Sequence, residues 1–441
     1  MNIGAVLAGE AADASVGERI YRLAAEIFPI CRSLTGPGVR ETLGLLRKIV
    51  PLDLRRVPTG TPVLDWTAPK EWTIRDAWVK NAAGERVIDF RASNLHVMGY
   101  SVPVHRTMPL AELKRHLFSL PGQPNLIPYR TGYYAETWGF CVSQEALDAL
   151  PEGDYEVMID SSLDDGELVY GEYLHRGRSE EEFLLTTHCC HPSMANDNCS
   201  GLALLTHLAA QLSRVETRLS YRFLWLPGTI GAIAWLAAND AHAGRIRHGL
   251  VVSGVGDPGG PTYKRTRSGN APIDRAMVHL LHHAAGKPEV IDFSPYGYDE
   301  RQFNTPGYRL PVGLIQRSRF GTYPEYHTSA DNLDFIAPGP LAESYRLIVD
   351  AIGLIETDAT YLNTLPKGEP QLGRRRLYDK IGGDPDTYGS RMALLWLLNL
   401  SDGEHTLLDI AERSGLPYAT VARTARMLEA EGLLRALVPA G

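Results

Sequence analysis

Two short stretches of this 441-residue chain carry side chains that could bind a metal ion. In the first, TTHCCHPSMANDNCSG, two imidazoles, His188 and His191, lie within ten positions of Asp197. In the second, YPEYHTSADNLDF, His327 follows about 130 residues later. Neutral imidazole and carboxylate are ligands that suit zinc. Because loops that are distant in the chain can converge on one ion, these residues predict a zinc site.

Each stretch alone has a plainer interpretation. Two histidines three residues apart in a loop are commonly hydrogen-bonded to the protein or exposed at its surface. The string HTSADN is typical of a helix cap, in which Thr328 or Ser329 caps the turn that holds Asp331. Only the two stretches together favour a metal site.

The elements around these stretches must bring them together. A nearly continuous apolar run, EFLLTTHCC, ends at the first stretch and is typical of a central buried strand. Further strand-like runs, YRFLWLP and GLVVSGV, alternate with helical ones, LALLTHLAAQLSRV and GAIAWLAAND. This alternation predicts the α/β class, a largely parallel sheet covered by helices. Such folds bind ligands at the carboxyl ends of their strands, so we expect the chemistry just after LLTT, WLP and VVSG.

Changes in composition and in residue pattern along the chain also indicate where its domains begin and end. Residues 1–53 and 153–365 are predicted to form the α/β domain. Residues 54–152, with recurring Pro and Gly between short strand-like pieces, are predicted to form an inserted, strand-rich domain. Residues 366–441 are predicted to be a linker followed by a winged helix-turn-helix, because three helical patches follow a segment rich in Gly, Pro and charge.

Composition and charge argue against a nucleic-acid-binding protein, a disulfide-rich secreted protein and a membrane-spanning protein. The chain has 44 basic and 52 acidic residues and a net charge of −8, which opposes nonspecific attraction to nucleic acid or to an anionic membrane.

Its five cysteines are spaced unlike a disulfide framework, so we expect a reducing compartment, the cytoplasm. The N-terminus has no basic leader. The most apolar run, residues 221–238, is interpreted as a buried strand and a helix, not a membrane span.

Taken in order, several strings resemble a known family. They are CCHPSMANDN, FLWLPGTIG, a strand that ends VVSGVGD, GYDERQF and YPEYHTSADN. The order is similar to that of the cocatalytic zinc aminopeptidases, and nearly the whole chain resembles bacterial aminopeptidase-like proteins with an inserted domain of unknown function and a C-terminal winged helix. The resemblance implies a zinc-exopeptidase-like mixed sheet between helices.

The resemblance also implies roles for individual residues. His188 matches the first histidine ligand, and Asp197 matches the carboxylate that bridges two zinc ions in the aminopeptidases. His327 matches the late histidine ligand. Asp299, in GYDERQF, matches a structural aspartate near the site.

Two departures from the family pattern bear on the metal. The aminopeptidases have an adjacent pair of glutamates, one the general base and one a zinc ligand, where this chain has Gly228 and Thr229. They carry an aspartate ligand where this chain has the segment 253–255, with Asp257 slightly beyond. Losing two carboxylates removes the charge that would neutralise a second dication, so one zinc ion is expected, with an open position for a water whose pKa falls to about 7.

The proton acceptor is then an open question, since Gly228 has no side chain. Glu325, two residues from a presumed ligand, and Glu300 are the candidate catalytic residues. Glu325 could instead orient a ligand imidazole, and Glu300 could pair with an arginine. His191 could be a metal ligand, a base or a group that fixes the loop.

The C-terminal domain gives little sign of binding DNA. From residue 390 onward there are five arginines and six acidic residues. Only Arg423 and Arg426 lie in the predicted recognition helix, where a DNA reader usually carries several basic residues. We expect this domain to pack against the catalytic domain or against a neighbouring subunit of a homo-oligomer.

These observations lead to a functional hypothesis. The chain is expected to be a zinc-dependent hydrolase of the aminopeptidase type, acting on an amide or peptide bond of a small aminoacyl substrate. The resemblance suggests a pathway of polysaccharide or natural-product biosynthesis. Two alternatives stay open, a metal-bearing binding protein with little turnover and a ligand-sensing regulator with a winged helix.

Overall fold

The structure, a computed structural model, describes residues 15–375, 377 and 387–437. It divides into two compact units. The described residues up to Gly269, together with Ile291–Arg346, form the first unit, and Asn270–Val290 with the described residues from Leu347 onward form the second. Most of the N-terminal segment predicted to lack a leader, and part of the predicted linker, lie outside the described residues.

The strands, in chain order, have the following bounds: β1 (Asp53–Pro58), β2 (Pro62–Val63), β3 (Trp66–Thr67), β4 (Glu71–Lys80), β5 (Arg86–Asp89), β6 (Val104–Pro109), β7 (Leu117–Phe118), β8 (Phe140–Cys141), β9 (Asp154–Asp164), β10 (Glu167–His175), β11 (Glu182–His188), β12 (Ser220–Leu226), β13 (Ile246–Val252), β14 (Thr262–Lys264), β15 (Glu289–Ile291), β16 (Val312–Gln316), β17 (Thr360–Asn363), β18 (Asp402–Thr406) and β19 (Leu434–Leu437).

The α-helices have these bounds: α1 (Val16–Ile27), α2 (Pro37–Leu46), α3 (Leu110–Leu113), α4 (Gln144–Asp148), α5 (Gly201–Leu212), α6 (Ile230–Ala238), α7 (Pro272–His282), α8 (Glu300–Phe303), α9 (Pro338–Thr357), α10 (Thr387–Leu400), α11 (Leu407–Ser414) and α12 (Tyr418–Ala430). Short 3-10 helices span Asn94–His96, Lys114–His116, Ala243–Arg245 and Gly373–Arg375, and a π-helical segment spans Ala195–Ser200.

The large sheet is mixed and has the strand order β1-β10-β12-β11-β13-β16-β14-β15. Its middle strands β12, β11, β13 and β16 are parallel, whereas β1, β10 and β14 each run antiparallel to a neighbour. Every residue of β11 is buried, as its apolar sequence predicts for a strand covered on both faces. The predicted α/β fold with a mixed sheet is confirmed.

The sheet places the ends of three parallel strands side by side. His188, the last residue of β11, is paired with Leu226, the last residue of β12. On the other side β11 pairs with β13, which ends at Val252. The loops after LLTT, WLP and VVSG therefore leave the sheet at one edge, where the sequence places the chemistry.

Helices cover this sheet through apolar side chains. Helix α5 packs against β11 and α1, and helix α6 packs against β10 and β12. The run from residue 221 to 238 is the strand β12 followed by α6, which confirms the predicted strand and helix. Among the described helices, none has both the length and the apolar character needed to cross a membrane.

A second sheet of four strands, in the order β5-β4-β9-β6, forms the strand-rich part of the first unit. Its membership differs from the predicted domain bounds of 54 and 152. Strand β1 pairs with β10 in the large sheet, and β9, which begins at Asp154, pairs with β4 and β6 in the small one. The difference arises because strand pairing between distant segments, rather than local Pro and Gly content, decides which sheet a strand joins.

The second unit contains the winged helix-turn-helix. Helices α10, α11 and α12 pack on one another, and β17 lies between β18 and β19 in a three-stranded sheet. Thr406 caps α11 by accepting a hydrogen bond from the Asp409 backbone, and Gly415 ends that helix with a φ of 68°. The predicted winged helix is confirmed, and β17 places its beginning ahead of the predicted bound at residue 366.

Candidate functional site

The site begins at the end of β11. His188 is only 2% exposed, and its Nε2 lies 2.8 Å from Oδ1 of Asp197. Asp197 is fully buried and lies in the π-helical segment that leads into α5. A strand end and the start of a core helix thus hold an imidazole and a carboxylate in contact.

The other two predicted ligands meet the same carboxylate. Nδ1 of His191 lies 3.1 Å from Nε2 of His188 and 3.6 Å from Oδ1 of Asp197. His327, from the second stretch, places its Nε2 2.9 Å from Oδ2 of Asp197. The structure therefore brings together all four side chains that the sequence proposes as metal ligands.

The donor set fits zinc. One ligand atom from each of His188, His191 and Asp197 lies within 4.8 Å of the other two. Imidazole and carboxylate are the ligands of many catalytic zinc sites, in which three protein groups leave one position open. The close approach of two imidazole nitrogens, at 3.1 Å, is the arrangement that a cation between them would stabilise.

Electrostatics keep His191 and Asp197 in their ligating forms. Burial lowers the pKa of His191 to about 3, against the opposing effect of Asp197, so the imidazole is neutral at pH 7. Burial alone would raise the pKa of Asp197, but His191, His188 and His327 together hold it well below its usual range. Neutral imidazole and ionised carboxylate are the forms that bind a metal.

The two stretches are joined by more than the candidate ligands. The Asp331 carboxylate accepts hydrogen bonds from the backbone N–H groups of Asn196 (2.6 Å) and Asp197 (3.0 Å). Thr328 caps the intervening turn, since its Oγ1 accepts from the Ala330 N–H. No helix begins in the described residues 328–337, so the predicted helix cap is wrong; Thr328 instead stabilises a turn that carries Asp331 to the metal loop.

The segment between β7 and β8 also contacts the histidines. The backbone N–H of Tyr129 donates to the carbonyl of His327 at 2.8 Å, and Ser329 N–H donates to Ile127. The Tyr129 ring lies edge-on to both His191 and His327, with 5.1 Å between ring centroids in each case. Sequence reasoning missed Tyr129, and its position in LIPYR carries no local signal of this role.

A cavity of about 190 Å³ opens beside the cluster. His188, His191 and His327 line one part of it, and Gly228 and Thr229 line another. Much of the remaining wall is aromatic and consists of Tyr296, Tyr298, Phe320 and Tyr326. A ligand in this cavity would therefore contact the candidate metal site directly.

Tyr298 belongs both to the wall and to the metal site. Its ring stacks on His188 with 4.8 Å between centroids, and its hydroxyl donates to Oδ1 of Asp197 at 3.3 Å. These contacts hold the imidazole and the carboxylate in orientation.

One carboxylate lines the cavity, that of Asp299. It is 1% exposed, and neither of its oxygens has a hydrogen-bond partner among the described residues. Burial raises the pKa of Asp299 to about 7, although His188 lowers it. An unpartnered carboxyl group in this position is suited to exchange a proton with a substrate or with water.

The two predicted proton acceptors do not line the cavity. Glu300 is fully buried, and its Oε1 accepts a hydrogen bond from the Lys264 ammonium at 2.8 Å. Glu300 therefore forms an ion pair, as the alternative to a catalytic role predicted, but its partner is a lysine rather than an arginine. Glu325 is half-buried in the turn before His327, where its carbonyl accepts from Thr328.

The segment that departs from the family pattern contains no carboxylate aimed at the cluster. Asp257 is buried, and its Oδ2 accepts from the Asn196 side chain at 2.9 Å. Its Oδ1 accepts from the Ser318 hydroxyl at 2.6 Å. The hydrogen bonds of Asp257 thus fix neighbouring loops.

Comparison with known proteins places this geometry in a family. Residues 21–358 match the model of a domain of unknown function, DUF4910, and residues 359–436 match a winged helix-turn-helix. A Clostridium acetobutylicum relative is 52% identical over 95% of this chain and 96% of its own length. Its name describes a polysaccharide biosynthesis protein with an aminopeptidase-like domain.

Solved structures extend the comparison. One, described as that of a peptidase from Clostridium acetobutylicum, has 49% identity, covers 99% of this chain and all of the other, and superposes with a TM-score of 0.93. A zinc aminopeptidase from Bacillus subtilis has the same fold at 14% identity, with a TM-score of 0.56 over 78% of this chain and 94% of the other. The chain therefore belongs to the DUF4910 family of aminopeptidase-like proteins, with a C-terminal winged helix.

Proposed function

We propose that this protein is a zinc-dependent hydrolase that cleaves the amide or peptide bond of a small aminoacyl substrate. One observation carries the proposal: His188, His191 and Asp197, which could hold a metal ion, meet His327 at a cavity lined by the Asp299 carboxylate, which has no hydrogen-bond partner among the described residues. The names of the Clostridium relatives, a peptidase and a polysaccharide biosynthesis protein, support a peptidase-like role in that kind of pathway. The five free cysteines favour the cytoplasm.

The side chains at the site are sufficient to bind one zinc ion rather than two. Three of the four side chains His188, His191, Asp197 and His327 would hold it, which leaves one position open. Bound there, zinc supplies Lewis-acid polarisation of a substrate carbonyl and lowers the pKa of water. Thr229 brings no carboxylate to the cavity, and that of Asp257 is engaged elsewhere, so a second dication would lack neutralising ligands.

Asp299 is the proposed proton acceptor. Its carboxylate takes the proton of the attacking water and returns it to the leaving amine, which preserves the proton balance of hydrolysis. Tyr298 and Asp331 hold Asp197 in position throughout. The aromatic wall excludes water from the part of the cavity that the aminoacyl group would fill.

The test is hydrolysis of a panel of aminoacyl p-nitroanilides by the zinc-loaded protein, with and without a chelator. We expect turnover that the chelator abolishes. Asp299→Asn is expected to lower kcat by a factor on the order of 10² to 10⁴ while zinc content stays the same. Asp165→Asn, at an exposed carboxylate, is the matched control and should behave as wild type.

Two results would count against this proposal. If no member of the panel shows chelator-sensitive turnover, a metal-bearing binding protein becomes the better description. If Asp299→Asn retains wild-type kcat while Glu325→Gln loses activity, the proton acceptor is Glu325, as the sequence first suggested.

A further inference from the structure

The wall of the cavity contains a cation that the proposed reaction does not use. Arg301, in the short helix α8, lines the cavity two residues after Asp299. It is half-buried, and its Nε is buried without a hydrogen-bond partner among the described residues. Within that part of the chain the Arg301 guanidinium also forms no ion pair.

The neighbouring charges do not neutralise this guanidinium. Glu300 is engaged by Lys264, whose ammonium also donates to the carbonyl of Tyr296. Asp299 lies near enough for attraction but accepts no hydrogen bond from Arg301. Burying Nε without a partner is costly, because its N–H loses water and gains no hydrogen bond in return.

The size and lining of the cavity limit which groups could bind Arg301. At about 190 Å³ it is smaller than the usual ligand pocket and suits a group the size of one residue. Tyr296, which is 69% exposed, and Phe320 stand at the wall with 5.4 Å between ring centroids. An anionic group bound at Arg301 would therefore share the cavity with these aromatic rings and with the candidate metal site.

We propose that Arg301 binds a carboxylate of the substrate and makes the enzyme selective for acidic substrates. The planar guanidinium presents paired N–H donors that match the two oxygens of a carboxylate. The carboxylate belongs either to the side chain of an acidic aminoacyl residue or to a uronic acid. This inference rests on the proposed function for its reaction, but not for the binding event itself.

The test is isothermal titration of the zinc-loaded protein with two matched pairs of probes that cannot be hydrolysed. The first pair is the amino alcohols derived from L-glutamate and L-glutamine, which differ only in the side-chain carboxylate. The second pair is methyl β-D-glucuronide and methyl β-D-glucoside. We expect the acidic member of one pair to bind roughly tenfold to hundredfold more tightly, and that pair identifies the source of the carboxylate.

Variants assign the effect to Arg301. Arg301→Gln should abolish the preference for the acidic probe, Arg301→Lys should retain part of it, and Arg267→Gln, at an exposed arginine outside the cavity, should retain all of it. Equal binding of both members in both pairs, or a preference that survives Arg301→Gln, would overturn the inference. Because titration needs no turnover, an absence of hydrolysis would count against the proposed function alone.

Discussion

At the residue scale, Gly228 shows why this site departs from the family pattern. The resemblance places a glutamate of the aminopeptidases at this position. A Cβ atom on Gly228 would lie 3.0 Å from Cβ of His188 and 3.5 Å from Oδ1 of Asp299. The first distance is tighter than ordinary van der Waals contact, so even a methyl group would press on a proposed metal ligand. The carboxylate of Asp299 occupies the neighbouring space instead.

This crowding predicts the effect of Gly228→Ala. His188 must shift by a few tenths of an ångström, and the zinc affinity should fall by about tenfold, as it does when groups around metal ligands are disturbed. Competition with a chromophoric chelator measures the change. Gly244→Ala is the control, since nothing lies within 4 Å of the added methyl group. An unchanged zinc affinity in Gly228→Ala would show that the strand end yields more easily than its contacts indicate.

At the element scale, the start of the recognition helix α12 is held by another helix of the second unit. The backbone N–H of Tyr418, the first residue of α12, donates to Nε2 of His279 in α7 at 3.0 Å, and the contact is buried. Arg275, also in α7, forms ion pairs with Asp409 and Glu412 of α11. The end of α12 that a DNA-binding helix would direct to base edges is therefore engaged by α7.

The His279 contact predicts a pH dependence. Burial, with a smaller contribution from the neighbouring His283, lowers the pKa of His279 from its ordinary value of 6.5 to about 4. The folded state thus binds fewer protons than the unfolded state, so stability is complete above pH 6.5 and is lost as the pH falls towards 4. At pH 5 the local loss should be about 1 to 2 kcal/mol, once screening by solvent is allowed for.

Hydrogen exchange at the first turn of α12, corrected for intrinsic rates, gives the free energy of local opening at pH 7 and pH 5. His279→Gln retains an acceptor for the Tyr418 N–H but does not titrate, so its opening free energy should change less between the two pH values. Equal changes in wild type and His279→Gln would show that another group governs the pH dependence.

At the scale of the whole molecule, charge argues against nucleic acid as a partner. The net charge of −8 repels a polyanion, and the winged-helix region has slightly more acidic than basic residues. Because His279 holds the beginning of α12, we expect that this end of the helix does not read DNA. Homology to a DNA-binding fold does not by itself imply DNA binding.

A gel-shift assay of the full chain across salt concentrations tests this expectation. No shift should appear even at low salt, where contacts to phosphate are strongest. A shift that weakens steeply with salt, and that Arg423→Gln and Arg426→Gln reduce, would instead identify α12 as a nucleic-acid contact.

The sequence by itself determined the class of fold and the proposed ligands. Apolar periodicity reports which residues are buried, so the composition of EFLLTTHCC is enough to indicate a central strand. His188, His191 and Asp197 follow a buried strand and could be proposed from that position, whereas His327 is proposed from its residue type and from the resemblance to the zinc aminopeptidases. The rule that strand ends carry the site is general and needs no tertiary detail.

Only the tertiary structure decided which groups line the cavity. Glu300 and Asp299 are adjacent in the chain, yet one is paired with Lys264 and the other faces the cavity without a partner among the described residues. Tyr129 reaches His327 across about 200 residues of chain, through a backbone hydrogen bond that has no local pattern. Burial follows from local periodicity, whereas the partner of a buried charge depends on which distant segments pack beside it.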